Sequence, residues 1–144
     1  MNKVIGLDLG SVTCGVAMSD ELGMLAHPVK TIRFKEHDID PLLSELETLL
    51  EINQVNIVVL GLPLHMNGDV GERARASLEF KQILEEAFDV EVIMMDERFS
   101  TRSSERQLIS MNVSRKKRKK IIDQAAAVEI LQRYLDSKKE KVHE

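Results

Sequence analysis

Val4-Ile5-Gly6-Leu7-Asp8-Leu9-Gly10-Ser11 is an apolar strand that carries one acid and then breaks at glycine toward a second apolar run, Gly15-Val16-Ala17-Met18. An unpaired carboxylate in a sheet costs free energy, and the usual relief is a cation, either a metal ion or a basic side chain. Taken alone, Asp8 reads equally well as an acid capping a turn at a strand end. The choice rests on what the rest of the chain brings to it.

Outward from that stretch the period of two persists to about Thr31, with strands expected over Val4–Leu9, Cys14–Ser19 and Ala26–Thr31 joined by Gly/Ser and Asp-Glu-Leu-Gly turns. The period then changes. Ile39, Leu42, Leu43, Leu46, Leu49 and Leu50 recur at three- and four-residue steps behind Asp38, a candidate N-cap, with Pro41 in the first turn of the helix. Asn56–Leu60 reads as a strand covered on both faces that stops at Gly61-Leu62-Pro63. A loop over 64–71 leads into a second helix, Glu72–Phe88, and Val90–Met95 forms a fifth strand. Ser100 or Thr101 caps a third helix to about Met111, and a basic loop precedes a fourth over Ile121–Ser137. The polar tail 138–144 is expected to fray.

This order has few layouts. Helices alternating with strands in the second half require parallel pairing with right-handed crossovers, whereas the first three strands are close enough for hairpins. A mixed five-stranded sheet with helices on both faces, a three-layer α/β domain, is the expectation. Strand one should lie centrally beside strand four, and strand four beside strand five. Sites in such sheets form beyond the carboxyl ends of adjacent parallel strands, which gathers Asp8, the Gly61 turn and Asp96-Glu97.

Composition bounds the function. A chain of 144 residues, 43% hydrophobic, suits one domain and one core. The longest apolar stretch, 57–64, is too short for a bilayer, and the N-terminus lacks the pattern of a secretory leader, so a cytoplasmic protein without membrane partners is expected. Cys14 has no second cysteine to pair with and reads as a small core residue. The histidines at 27, 37, 65 and 143 lack metal-ligand spacing. Charge is segregated: Arg115-Lys116-Lys117-Arg118-Lys119-Lys120 carries +6, which leaves −10 on the remainder against a net of −4. Such a run is either a solvated loop or a phosphate-backbone contact with steep salt dependence. With four phenylalanines, one tyrosine and no tryptophan, backbone recognition fits better than base stacking.

The acids placed to converge are Asp8, one of the adjacent pair Asp96 and Glu97, and Asp123, which precedes Gln124-Ala125-Ala126-Ala127. Neighbours along a strand point to opposite faces, so only one of Asp96 and Glu97 is expected to serve. The three alanines let a helix approach a sheet closely. Asp123 is also what a helix N-terminus favours without any further role. An oxygen-rich cluster without histidine suits Mg²⁺ or Mn²⁺, and two such ions can activate water and stabilise the leaving oxygen of a phosphodiester.

The segments GLDLGSVTCGVAMSD, GLPLHMNGDVG, DERFST at 96–101 and DQAAAVEILQRYL resemble, in order and spacing over nearly the whole chain, the YqgF family. Its members are described as Holliday junction resolvases and as pre-16S rRNA nucleases. The resemblance implies an RNase H-like fold related to RuvC, here over residues 1–137, with Asp8, Glu97 and Asp123 as catalytic, metal-binding acids. It also implies that Arg98, Ser100 and Thr101 shape the nucleic-acid site and that the 61–71 loop borders it. Many RNase H-like proteins carry a carboxylate at the end of the fourth strand. This chain has Gly61-Leu62-Pro63 there, and Glu97 is expected to substitute.

The resulting expectation is a metal-dependent endonuclease that matures the 5′ end of pre-16S rRNA in ribosome biogenesis. Arg98 would offset phosphate charge, and Lys116, Lys117, Arg118, Lys119 and Lys120 would hold the flanking backbone. The alternatives are a resolvase of four-way DNA junctions and, in another class, a non-catalytic RNA-binding module. A phosphate-loop ATPase is disfavoured because the chain is too short for a second lobe. A resolvase that cuts symmetrically would be a homodimer, whereas the RNA-processing reading also admits a monomer.

Overall fold

In the computed structural model, residues 3–98 and 115–142 are described, the last helix with side chains from 124 to 138. The strands are β1 (Val4–Leu9), β2 (Thr13–Ser19), β3 (Ala26–Arg33), β4 (Ile57–Leu62) and β5 (Glu91–Asp96); the helices are α1 (Asp40–Ile52), α2 (Glu72–Ala87) and α3 (Arg115–Val142). The sheet order is β3-β2-β1-β4-β5, with β1/β2 and β2/β3 antiparallel and β1/β4 and β4/β5 parallel. Strand one is central beside strand four, as the alternation of elements required.

Side-chain alternation builds a layer on each face. Ile5 and Leu7 of β1 pack with Val58, Leu60 and Val92 against Leu42, Leu46, Phe80 and Leu84 of α1 and α2. The intervening residues face the other way, where Ala17 and Val59 meet Ala127, Ile130, Leu131 and Tyr134 of α3. Gly6 explains how closely that helix lies. A Cβ at this position would sit 2.7 Å from Leu131 Cβ and 3.0 Å from the Ala127 carbonyl, so only glycine lets α3 ride directly on β1. The small Ala126 and Ala127, both buried, complete the close approach anticipated from the alanine run.

Polar contacts set the helix register. Gln132 accepts from the Ala26 N–H at 2.8 Å and donates to the Met24 carbonyl at 3.0 Å, while Arg133 donates to the Asp96 carbonyl at 2.7 Å. Met24 and Ala26 adjoin Ser19, which lies at the amino end of β1, where the Val4 N–H donates to the Ser19 hydroxyl. Followed back from Gln132, α3 therefore runs toward the carboxyl end of β1.

Four local expectations need correction. The fourth strand does not stop before Gly61 but carries Gly61 and Leu62, paired with Met95 and Asp96. Asp38 does not cap α1; Ile39 occupies that position without a side-chain cap, and the Asp38 N–H donates instead to the Lys35 carbonyl. The basic run is helical rather than a loop, because 115–142 contains neither glycine nor proline and Lys and Arg favour helix. The helix also continues past Ser137 to Val142, with Lys138 Nζ 5.2 Å from the Tyr134 ring centre. The helix expected over 100–111 lies outside the described residues. No helix among the described residues is long and apolar enough to cross a membrane.

Candidate active site

Asp8 stands two residues beyond Gly6 on β1, so period-two alternation places it on the α3 side of the sheet near the strand's carboxyl end. In the neighbouring strand Gly61 is one residue past Leu60, the partner of Leu7, and is therefore nearly level with Asp8. Glu97 leaves β5 with its N–H bonded to the Leu62 carbonyl at 3.1 Å. Its side chain turns back over β4: a Cβ at Gly61 would lie 2.7 Å from Glu97 Cδ and Oε2 and 2.6 Å from Ile130 Cδ1. The absent side chain of the fourth strand is thus the seat of a carboxyl delivered from the fifth.

That carboxyl meets Asp8. Burial, then the Asp8 charge and a hydrogen bond with Asp8, push Glu97 up to about 8, opposed by the nearby Arg73 guanidinium. The rise favours the protonated form of Glu97, the form that can donate to Asp8. Two carboxyls in one partly buried space cannot both ionise cheaply unless a cation joins them. Among the described residues, no group of three acidic, histidine or cysteine side chains forms a metal cage.

Asp96 is committed elsewhere. Its Oδ2 accepts from Arg98 Nε at 2.9 Å and pairs with Nη2 at 2.8 Å, and its Oδ1 accepts from the Arg98 N–H at 2.9 Å. These bonds hold the Asp96 carboxyl below the usual carboxylate range. The neighbours Asp96 and Glu97 therefore divide their tasks, as strand geometry suggested. Arg98 also donates from Nη1 to the Met66 carbonyl at 3.4 Å. It ties the end of β5 to the 63–71 loop, which is closed by the His65 N–H on the Asp69 carbonyl and the Gly68 N–H on the His65 carbonyl.

Of the other expected site residues, Asp123 and Lys116, Lys117, Arg118, Lys119 and Lys120 lie on α3 at positions whose side chains are outside those described. Ser100 and Thr101 are outside the described residues altogether. Cys14 is fully buried, with its thiol pushed up by burial and then by Asp8, which makes it a core residue and no nucleophile. Arg73 was missed by sequence reasoning. It lies in the first turn of α2, its Nη2 reaches the Leu9 carbonyl at 3.5 Å, it makes no ion pair among the described residues, and its charge acts on Glu97. The signal was available: a basic residue in the first turn of a helix that follows a parallel strand lies where anions bind.

A mixed sheet in the order β3-β2-β1-β4-β5, layered by helices and carrying an acid pair at its parallel carboxyl ends, is an RNase H-like fold. Similar solved structures are a fowlpox virus resolvase with Holliday junction DNA (TM-score 0.57, 16% identity, 94% of this chain and 97% of that one) and Thermus thermophilus RuvC with a Holliday junction substrate (TM-score 0.56, 11% identity, 96% of each). At these identities the likeness is one of fold. Residues 2–137 match the family described as "RuvX: Holliday junction resolvase", and the chain belongs to that family. Proteins named "Putative pre-16S rRNA nuclease" are similar along nearly their whole length. That of Bacillus licheniformis is 52% identical over 135 residues (94% of this chain, 97% of the relative), and that of Bacillus subtilis 48% identical over 135 (94% and 98%). The YqgF membership read from the four motifs is borne out.

Proposed function

We propose that this protein is a divalent-metal-dependent endonuclease that hydrolyses phosphodiester bonds in precursor 16S rRNA. The observation that carries the chemistry is the Glu97 carboxyl seated over Gly61 and hydrogen-bonded to Asp8. Two hard oxygen donors that repel each other when ionised fit Mg²⁺ or Mn²⁺. Asp123 is the proposed third ligand: position 123 is one turn before Ala127, on the part of α3 that runs toward the Asp8 end of β1. A cation held there supplies activation of water and neutralisation of charge on the phosphate.

The chain's own groups do the rest. Asp8 and Glu97 give up the proton they share when the site is loaded. Arg98 holds the 63–71 loop at the border of the site, and Ser100 and Thr101 are the proposed substrate contacts next to it in the chain. Positions 116–120 lie three to seven residues before Asp123, about 4–10 Å further along the axis of α3, and the basic run there is the proposed contact to the flanking backbone. The choice of RNA rests on the names of relatives about half identical to this chain. The test sets a precursor-rRNA end against a four-way DNA junction, each with Mg²⁺ or Mn²⁺, using wild type and Asp8→Asn. Divalent-dependent cleavage of the RNA, lost in Asp8→Asn, is expected. Preferential cutting of the junction would move the assignment to a resolvase, and unchanged cleavage by Asp8→Asn would remove the metal site.

A further inference from the structure

A cleft of about 590 Å³ opens on the α1/α2 side of the sheet, around the end of β1 from Asp8. Its inner wall is apolar and includes Phe34, Phe80 and Ile83, so two of the chain's four phenylalanines line one cavity. Its rim is polar and mixed in charge: Arg73 and Arg75 stand among Glu36, His37, Glu72 and Glu79. Leu9, Gly10 and Ser11, which follow Asp8 along the chain, line the cleft at the carboxyl end of β1, while the acid pair lies across that strand end on the α3 side. Arg73 links the two: it lines the cleft, its Nη2 reaches the Leu9 carbonyl at 3.5 Å, and its charge acts on Glu97.

An apolar, partly aromatic slot with an arginine at the junction to a phosphate-cutting centre has the chemistry of a nucleotide seat. A base held there would lay a face against the half-buried Phe34 and Ile83, over the buried Phe80, and its phosphate would meet Arg73. The glutamates on the rim suit the amino groups that cytosine, adenine and guanine present at their edges, as carboxylates accept from such donors. A paired base has those edges occupied and its faces stacked, so the cleft selects unpaired residues. From the position of Arg73 we infer that the cleft binds one splayed-out, unpaired base of the nucleic-acid strand next to the phosphate at the acid pair, with Arg73 as the phosphate contact between the two. This inference rests on the nuclease reading and adds to it a single-stranded substrate class.

Binding measured on protein that does not cut keeps the two readings separable. In the Asp8→Asn background with Mn²⁺, fluorescence anisotropy compares a short single-stranded RNA containing 2-aminopurine with a paired duplex of the same length. Ala76→Phe, at an exposed position of α2 on the cleft wall, fills the slot without touching the acids. It should weaken single-strand binding at least about tenfold, abolish the quenching of 2-aminopurine and leave duplex binding within about twofold. Arg73→Gln should weaken single-strand binding and lower the slope of log affinity against log salt by about 0.7. Two folded variants that bind the single strand as their parent does, or that lose duplex and single strand equally, would overturn the cleft assignment. Wild-type cleavage run in parallel reads the nuclease proposal alone: its absence would remove that proposal without altering these binding ratios.

Discussion

Glu97→Gln is the perturbation that reads the acid pair directly. In the folded protein the Glu97 carboxyl is pushed from 4.5 up to about 8, whereas the unfolded chain releases that proton near 4.5. Between these values the folded state binds more protons than the unfolded one. The raised group therefore opposes folding progressively as pH climbs through that window, and the effect is complete above about 8. At about 1.4 kcal/mol per unit, a rise from 4.5 to 8 sets a ceiling of about 5 kcal/mol. Glu97 is only half-buried and water shares its site, so about 2 kcal/mol is expected. Glutamine keeps the shape and still donates to Asp8, but it does not titrate. With EDTA, urea melts at pH 5 should place wild type and Glu97→Gln within about 0.5 kcal/mol of each other. By pH 8.5 the variant should be the more stable by about 2 kcal/mol, near 6 °C in Tm for a chain of this length. Mn²⁺ should restore wild type at pH 8.5 and help the variant far less, because loading the site removes the shared proton. Parallel pH profiles for the two proteins in EDTA would refute the reasoning.

Other expectations follow from named contacts. Gly61→Ala puts a Cβ into the space of the Glu97 carboxyl and Ile130 Cδ1; it should cost about 1–3 kcal/mol and reduce divalent-dependent cleavage at least tenfold, measured by melts and turnover on one preparation. Gly6→Ala meets Leu131 Cβ and the Ala127 carbonyl, which cannot rotate aside, so α3 must lift from β1; a loss of about 3 kcal/mol is expected, and an unchanged melt would show that the helix does not ride on that strand. Arg98→Ala should leave global stability nearly unchanged, because its ion pair with Asp96 is partly exposed, yet raise proteolytic nicking within 63–71 by releasing the Met66 carbonyl. Arg133→Ala removes the 2.7 Å bond from α3 to the Asp96 carbonyl, and hydrogen exchange at the end of β5 should quicken.

Much of the fold was legible because its signals are local. Alternation in Val4–Leu9, the three- and four-residue spacing in α1 and the alternating order of later elements require only nearest neighbours and chain connectivity. Boundaries failed where a local rule met a tertiary one. Gly61 looked like a strand end because glycine weakens strands, but here β4 continues and the missing side chain makes room for a neighbour's carboxyl. The basic run looked like a loop because like charges repel, but it is continuous with a helix anchored on the sheet.

The site divides in the same way. The sequence by itself determined that Asp8 is an acid on a central strand, that one of Asp96 and Glu97 shares its face, and that the chain carries the motifs of its family, since these depend on residue type, period and order. Only the tertiary structure decided that Glu97 reaches Asp8 across Gly61, that Asp96 is taken by Arg98, and that the charge of Arg73 acts on Glu97. The reason is physical: a carboxyl's state depends on burial and on charges a few ångströms away, and those neighbours come from β1, β4, α2 and the end of β5, which meet only when the sheet closes.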